Sequence, residues 1–223
     1  MIFGDEQTVL VLAAHPDDEL LGCGGTLSRH CSAGAEVHVL IITDGASAQY
    51  DDADLTELKK QQAEQVGSQL GFASVDFADL PDMRLDEVPH VDLNETLTSK
   101  IDAVNPSVVY THCRNEVNLD HRRIHDSTLV ATRPSSDVSV VLAYETPSSS
   151  DWYYTQDRFR PSLFVDITDH IYDKISAFEL YSTEVRDYPH PRSARALRAL
   201  AERRGGQSGY EFAEGFSLVR MIC

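Results

Sequence analysis

The 223-residue sequence has little basic charge relative to its acidic charge. Its 19 lysines and arginines compare with 36 aspartates and glutamates, for a formal net charge of -17 at pH 7. A surface this acidic argues against sequence-independent binding to nucleic acid or to anionic membranes, because both need basic residues. The sequence therefore predicts a protein with no nucleic-acid partner.

Cysteine and long apolar runs are also scarce. The four cysteines, Cys23, Cys31, Cys113 and Cys223, show neither CxxC spacing nor a dense framework, so reduced thiols are the expected state. No stretch of the sequence approaches the roughly 20 apolar residues of a membrane span. The N-terminus carries acids where a signal peptide needs basic residues. We therefore expect a cytoplasmic protein with no membrane insertion.

Apolar, β-branched segments alternate with helical patterns along the chain. Six segments are predicted as strands: 8–15, 36–45, 73–80, 107–112, 139–146 and 162–168. Helices are predicted over 54–71, 90–106 and 120–134, and two more within 169–185 and 192–206. This alternation favours an α/β fold, a Rossmann-like three-layer α/β/α sandwich with a mostly parallel sheet. The length suits a single domain over residues 1–223.

Ligands of such sheets bind beyond the carboxyl ends of the strands. The segment "HPDDE" (15–19) follows the first predicted strand there, Asp44 follows the second, and His112 ends the fourth. A glycine-rich segment, "GCGGTL" (22–27), lacks the third glycine of a dinucleotide fingerprint and begins too far behind the first strand. The pattern therefore disfavours a nucleotide cofactor.

His15 and Asp18 carry the ligand types that Zn²⁺ accepts, and Pro16 restricts the turn between them. A catalytic zinc takes three protein ligands, and "NLDHRRIH" (118–125) offers two candidates, His121 and His125, one helical turn apart. Asp17 would then be free to take a proton from water. Spacing alone leaves two plainer interpretations open, a turn with a helix cap at "HPDD" and a solvated helix face at "DHRRIHD".

Together, "AAHPDDELLGCGGTL" and the later "NLDHRRIH" resemble the zinc-dependent de-N-acetylases of the PIG-L (LmbE-like) family. The likeness extends to "TDGA", "LPDMRLD", "AYETPSSS", "PSLFVDIT" and "EFAEGF". The resemblance implies a hydrolase that removes acetyl from an N-acetylglucosamine-type small molecule, with Zn²⁺ as cofactor. It implies a zinc site formed by His15, Asp18 and His121, with Asp17 as general base and His125 outside the ligand set. It also admits a homo-oligomer such as a trimer or hexamer.

The chain departs from the family pattern at Asn118. Many members have a histidine there, to which the role of general acid is assigned, whereas asparagine can donate a hydrogen bond but not a proton. Asn118 is therefore a candidate donor to the oxyanion. His112 is the candidate acid, and a structural histidine at the end of the strand is the alternative interpretation. Asp120 is expected to orient a neighbouring imidazole.

Polar side chains on the predicted loops are candidates for binding the sugar or its aglycone: Asp44, Arg84, Arg114 and Glu145. Substrate choice is expected to depend on loops 46–54, 113–118 and 146–161. Two other functions stay open, a metal-dependent amidase or esterase for another acyl group and a non-catalytic binding protein of this fold. The intact set of ligands and base argues against the second.

Overall fold

The computed structural model describes residues 4, 7–46 and 53–223, which form a seven-stranded sheet covered by helices on both faces. The strands are β1 (Thr8–Ala13), β2 (Glu36–Thr43), β3 (Ser74–Leu80), β4 (Val108–His112), β5 (Val140–Tyr144), β6 (Leu163–Asp166) and β7 (Ala213–Met221). Their order in the sheet is β3-β2-β1-β4-β5-β7-β6. The strands from β3 to β5 pair in parallel, and β7 lies antiparallel between β5 and β6.

Side chains of the strands alternate between two apolar layers, as strand geometry requires. The helices are α1 (Asp18–Ser32), α2 (Ala53–Leu70), α3 (His90–Val104), α4 (Leu119–Ala131), α5 (Pro147–Ser150), α6 (Ile171–Phe178) and α7 (Ala194–Ser208). Val9 and Val11 of β1 pack in the layer that contains α1, α2, α6 and α7. Leu10 and Leu12 pack in the opposite layer with α3 and α4. The predicted three-layer α/β/α fold is confirmed.

The predicted strands each match an observed strand, with ends that extend one or two residues too far. The exception is β7, which the sequence analysis did not predict as a strand. Its sequence "AEGFSLVRM" contains a glycine and several polar residues, which are weak local signals for a strand. Pairing with β5 on one side and β6 on the other holds it in the sheet. Non-local pairing has therefore overridden local propensity.

The order of the strands places a crevice at one point of the sheet. β1 pairs with β2 on one side and with β4 on the other, so the direction in which the chain progresses across the sheet reverses there. Parallel sheets bind ligands at such switch points, beyond the carboxyl ends of the strands. His15, which follows β1, and His112, which ends β4, both lie at this crevice.

Helix α1 is broken at Cys23, where φ is -144° and ψ is 16°. A break leaves the N–H groups of the next turn without acceptors in the helix. Glu214 of β7 accepts two of them, from Gly25 at 3.0 Å and from Thr26 at 2.7 Å. Its charge is compensated by Lys174 of α6, whose Nζ lies 2.5 Å from Glu214 Oε1. A buried ion pair from the C-terminal part of the chain thus completes the first helix.

His30 of α1 is buried against β4, with its Nε2 atom 2.8 Å from the Tyr110 hydroxyl. Burial, together with the nearby Arg29 charge, lowers the pKa of His30 to about 4. The unfolded chain has an ordinary histidine pKa near 6.5, so it takes up the proton first as the pH falls, and stability is lost from about pH 6.5 down to about pH 4. We expect this residue to lower the free energy of unfolding by about 2 kcal/mol between pH 7 and pH 5.

Urea unfolding of the wild type and of His30→Gln at both pH values measures this effect. The loss attributable to His30 should be missing in the variant, because glutamine does not titrate. The same change in both proteins would contradict the prediction.

Within the described residues, no helix combines the length and the apolar character needed to cross a bilayer.

Candidate active site

The turn after β1 carries three consecutive acids that are almost fully buried. Asp17, Asp18 and Glu19 are each at most 1% exposed. Asp17 caps α1 with a φ of 119°, a backbone conformation that residues with a side chain rarely adopt. The backbone N–H of His15 donates to Asp18 Oδ2 at 2.9 Å, which folds the Asp18 side chain back towards β1. Strained backbone of this kind concentrates at functional sites.

Three potential ligand atoms face one another at the crevice between β1 and β4. Asp18 Oδ2 lies 3.1 Å from His15 Nδ1 and 3.2 Å from His121 Nε2. The two imidazole nitrogens lie 3.2 Å apart. Ligand atoms about 2.0–2.1 Å from a tetrahedral zinc ion are separated from one another by about 3.3 Å. The three atoms therefore form a triangle of the size that three zinc ligands require.

The charges around this triangle also favour a cation. Burial acts to raise the pKa of Asp18, but the charge of His121 and hydrogen bonds from His121 and His15 outweigh it and hold that pKa well below its usual range. Burial acts to lower the pKa of His121, but Asp18 and Glu116 raise it to about 9. Buried carboxylates are costly unless positive charge compensates them, and a divalent ion can replace the protons that the imidazoles hold here. The donor set fits a metal ion.

Carboxylates lie behind both histidines of the triangle. His121 Nδ1 is 2.7 Å from Glu116 Oε1. His15 Nε2 is 3.2 Å from Asp82 Oδ1 and 3.3 Å from Asp120 Oδ2. Carboxylates in this position fix the ring orientation of a ligating histidine and raise its basicity. Asp120 thus lies against the His15 imidazole, and its orienting role stays a prediction. Glu116 and Asp82 were not among the predicted site residues.

His112 is buried beneath the triangle and does not face the cleft. Its Nε2 accepts a hydrogen bond from the Ala14 N–H at 2.9 Å, and its Nδ1 lies 3.3 Å from Thr146 Oγ1. Burial, helped by the charge of His121, lowers the pKa of His112 well below its usual range. A neutral imidazole with both nitrogens occupied cannot deliver a proton, so this geometry contradicts the predicted role of His112 as the acid.

Asn118 lines the cleft, but its side chain is engaged with helix α4. Its Oδ1 accepts the Asp120 N–H at 2.9 Å, which makes Asn118 the N-cap. Its Nδ2 lies 3.6 Å from Met83 Sδ, a weak acceptor. The predicted contact with an oxyanion stays a prediction, and it requires the amide group to exchange Met83 for substrate.

A cleft opens to solvent beside the triangle. Its described lining consists of His15, Pro16, Asp17, Gly45, Lys59, Asp82, Met83, Asn118, Glu184 and Arg192. Both carboxylate oxygens of Asp17 are buried, without a hydrogen-bond partner in the described part of the chain. Burial raises the pKa of Asp17 well above its usual range, and Arg192 acts against that shift. The cleft thus brings a carboxylate next to the triangle but outside it.

Glu145, predicted to bind substrate, lies elsewhere. Its two oxygens accept Nε and Nη2 of Arg204 at 2.7 and 2.6 Å, in a pair buried between β5 and α7. A carboxylate with both oxygens bound by a buried guanidinium is not available to a sugar hydroxyl. The structure therefore contradicts the predicted role of Glu145.

The other predicted substrate residues also fall outside the described lining of the cleft. Arg84 pairs with Glu87 at the surface, and Arg114 pairs with Asp126. Asp44 accepts the Ala46 N–H at 3.1 Å in the turn after β2. Residues 47–52, most of the first predicted substrate loop, lie outside the described residues. Substrate contacts by these three side chains stay predictions.

No sequence motif predicted Lys59, Glu184 and Arg192 in the cleft lining. Lys59 occurs within an ordinary amphipathic helix, and the other two occur in a segment without a motif, "STEVRDYPHPR". Asp82 lies in "LPDMRLD", which was noted only as a block resembling the family. That block was the one signal in the sequence for this part of the site.

Residues 10–132 match the family model described as "PIG-L: GlcNAc-PI de-N-acetylase". The chain belongs to the PIG-L family. The matched region contains the "HPDD" turn, both histidines of the triangle and Asn118. The predicted family is confirmed, and with it the predicted enzyme class, a hydrolase of the N-deacetylase type.

Two curated relatives and one solved structure extend the match. The diacetylchitobiose deacetylase of Thermococcus kodakarensis is 26% identical over 97% of this chain and 85% of its own length. A 1D-myo-inositol 2-acetamido-2-deoxy-alpha-D-glucopyranoside deacetylase of Mycolicibacterium vanbaalenii is 24% identical over 83% of each chain. The crystal structure of the conserved protein TT1542 from Thermus thermophilus has a TM-score of 0.80 at 23% identity, covering 97% and 96% of the two chains. This last likeness concerns the fold alone.

Proposed function

We propose that this chain is a zinc-dependent hydrolase that removes the acetyl group from an N-acetylated amino sugar of the N-acetylglucosamine type, or from its conjugate. The products are acetate and a free amine. One observation carries the proposal: three ligand atoms 3.1–3.2 Å apart lie beside a buried carboxylate that is not part of their triangle. This is the arrangement that metal-assisted amide hydrolysis needs.

His15, Asp18 and His121 would hold the ion. A zinc ion in this position supplies a Lewis acid for the amide carbonyl and makes water more acidic. Of the described residues that line the cleft, Asp17 is the one placed to accept a proton and return it.

Asp17 accepts a proton from the attacking water as the new C–O bond forms at the acetamide carbon. It returns that proton to the nitrogen as the C–N bond breaks, so the amine leaves in neutral form. With His112 occupied by Ala14 and Thr146, we infer that Asp17 serves both steps. Asn118 supplies no proton and stays a candidate donor to the oxyanion.

The substrate class rests on the relatives. One is named for diacetylchitobiose and one for an inositol-linked 2-acetamido-2-deoxyglucose, two scaffolds that share an acetamido sugar. We therefore propose an acetamidoglucose unit as the reacting part. A cytoplasmic location, the lack of a nucleic-acid partner and a trimeric or hexameric state stay predictions.

Acetate release from a panel tests the reaction. The panel contains N-acetylglucosamine, diacetylchitobiose, inositol-linked N-acetylglucosamine and, as matched controls, an O-acetyl sugar and an N-propionyl sugar. We expect acetate from at least one N-acetyl sugar, loss of activity after dialysis against a chelator and recovery on addition of zinc. Hydrolysis of the ester alone, or activity that survives the chelator, would overturn the proposal.

The two histidines of α4 that sequence spacing left as alternatives provide a matched pair for the metal site. We expect His121→Ala to lower bound zinc at least about tenfold, because the triangle loses one of its three ligands. His125→Ala should retain the metal, since His125 Nδ1 is 2.8 Å from the backbone oxygen of His112 and lies outside the triangle. Elemental analysis of protein purified without chelator measures both, and equal metal content in the two variants would exclude His121 as a ligand.

A further inference from the structure

The Arg192 side chain lines the cleft, although no sequence motif predicted it there. Its guanidinium lies against the carboxylate of Asp17, the proposed general base. Arg192 Nε is 3.5 Å from Asp17 Oδ2. Among the described residues, this is the one ion pair that Asp17 makes. Neither oxygen of its carboxylate has a hydrogen bond in that part of the chain. A buried carboxylate without hydrogen bonds can turn about its own side-chain bonds. Its orientation therefore depends on the charge that faces it.

The other side chains that act most strongly on Asp17 repel it. Asp18, Glu19 and Glu184 are all carboxylates, and each acts on Asp17 as a like charge. Arg192 is the attractive charge among the groups that act on it. Arg192 thus counters the repulsion that these three carboxylates exert on the Asp17 carboxylate.

The guanidinium is itself fixed at several points. Its Nη1 donates to Glu184 Oε2 at 2.6 Å, and its Nε donates to Ser148 Oγ at 3.3 Å. Glu184 in turn is 2.8 Å from Lys59 Nζ, so helix α2 also supports the network. A planar guanidinium held in this way can present one edge to a carboxylate at a defined angle.

The backbone around Arg192 is equally well anchored. Its N–H donates to His190 Nδ1 at 3.0 Å, and its carbonyl accepts the Arg186 N–H at 2.9 Å. The next residue, Ser193, is the N-cap of α7 and accepts the Ala196 N–H at 3.2 Å. Hydrogen bonds of the backbone on both sides therefore fix the position of Arg192 in the segment between α6 and α7.

We propose that Arg192 is the positioning residue of the general base: it holds the Asp17 carboxylate towards the water that attacks the acetamide. Arg192 acts through Asp17 and takes no part in proton transfer. It lies outside residues 10–132, so the base is held by a part of the chain that the family model does not cover. The assignment rests on the proposed deacetylation for its kinetic test.

The test compares Arg192→Gln with the wild type on the panel substrate that the wild type hydrolyses fastest. We expect kcat to fall about 10–100-fold, with KM changed less than about threefold, because a misplaced catalytic group lowers the rate of the chemical step rather than binding. Arg192→Lys keeps the positive charge but loses the planar guanidinium, so its kcat should lie between those of Arg192→Gln and the wild type. Arg198→Gln, which removes an exposed arginine of α7 paired with Glu202, should match the wild type.

A second arm separates positioning from a structural role. In the Asp17→Asn background, Arg192→Gln should cost less than about threefold, because the group it positions is already gone. An equal cost in both backgrounds would overturn the proposal. So would wild-type kcat in Arg192→Gln. If Arg192→Gln does not fold, the same comparison is made with Arg192→Lys.

A third readout does not depend on turnover. Crystal structures of the wild type and Arg192→Gln with equal zinc content should show the Asp17 carboxylate rotated or in more than one orientation in the variant. An unchanged carboxylate would overturn the assignment even if no panel member is hydrolysed. If the wild type releases no acetate from any substrate, the proposed function fails independently of this result.

Discussion

Asp17→Asn should lower kcat about a thousandfold while the metal stays bound, because an amide cannot accept the proton that a carboxylate takes from water. Asparagine has nearly the same shape, and it is among the residues that tolerate the positive φ of 119° found at this position. Asp17 also lies outside the triangle of His15, Asp18 and His121, so loss of the metal is not expected. Acetate release and elemental analysis on the same preparation measure both quantities.

A matched control is Asp82→Asn, which removes another buried carboxylate of the same cleft. Asp82 faces His15 Nε2 and is not placed to act as base, so its loss at saturating zinc should cost about 10–100-fold, less than the loss in Asp17→Asn. Turnover near that of the wild type in Asp17→Asn with metal retained would remove Asp17 from its role. Equal losses in the two variants would mean that the charge of the cleft matters and no single carboxylate is the base.

Glu214→Gln should destabilise the protein by about 3–5 kcal/mol, a large part of the stability of an ordinary domain. The change leaves the Lys174 ammonium buried without its counter-charge, and it weakens the hydrogen bonds from Gly25 and Thr26. Leaving one partner of a buried pair is more costly than losing both, because a charge stays uncompensated. Urea unfolding at neutral pH measures the free energy of unfolding.

The double variant Lys174→Met/Glu214→Gln is the informative control for this pair. It removes the stranded ammonium, so it should be more stable than Glu214→Gln by at least about 1 kcal/mol. Glu202→Gln, which breaks an exposed pair with Arg198 on α7, should change stability little. A loss below about 1 kcal/mol in Glu214→Gln would show that the ion pair does not hold the broken helix together.

The parts of the fold that the sequence predicts are those with a strong local signal. Six strands are apolar and rich in β-branched residues, and the helices between them carry regular apolar spacing, so alternation was enough to give the α/β class. β7 has no such signal, because what stabilises it is pairing with two strands distant in sequence. Helix α6 ends at Phe178, seven residues before the end of the predicted segment 169–185. The chain there turns to bring Glu184 to the cleft.

The candidate site likewise has parts that the sequence predicts and parts that it does not. His15, Asp17 and Asp18 lie in one turn, and His121 occurs in a short motif, so the triangle was predicted from local pattern and resemblance. The local sequence does not determine which way a side chain faces in the folded protein. His112 lies at the expected strand end, but its ring accepts a hydrogen bond from the Ala14 N–H. Glu145 is paired with Arg204 and does not line the cleft.

The position of β7 also constrains the order in which the sheet can be assembled. β6 is followed by two helices before the strand it pairs with, so it has no place in the sheet until β7 has inserted beside β5. The same strand carries Glu214, which closes a contact with Gly25 across 189 positions of sequence. Contacts of such long range are slow to form. The hydrogen bonds that complete α1 can therefore form only after β7 has joined the sheet. A chain shortened before β7 would leave β5 as an open edge prone to association.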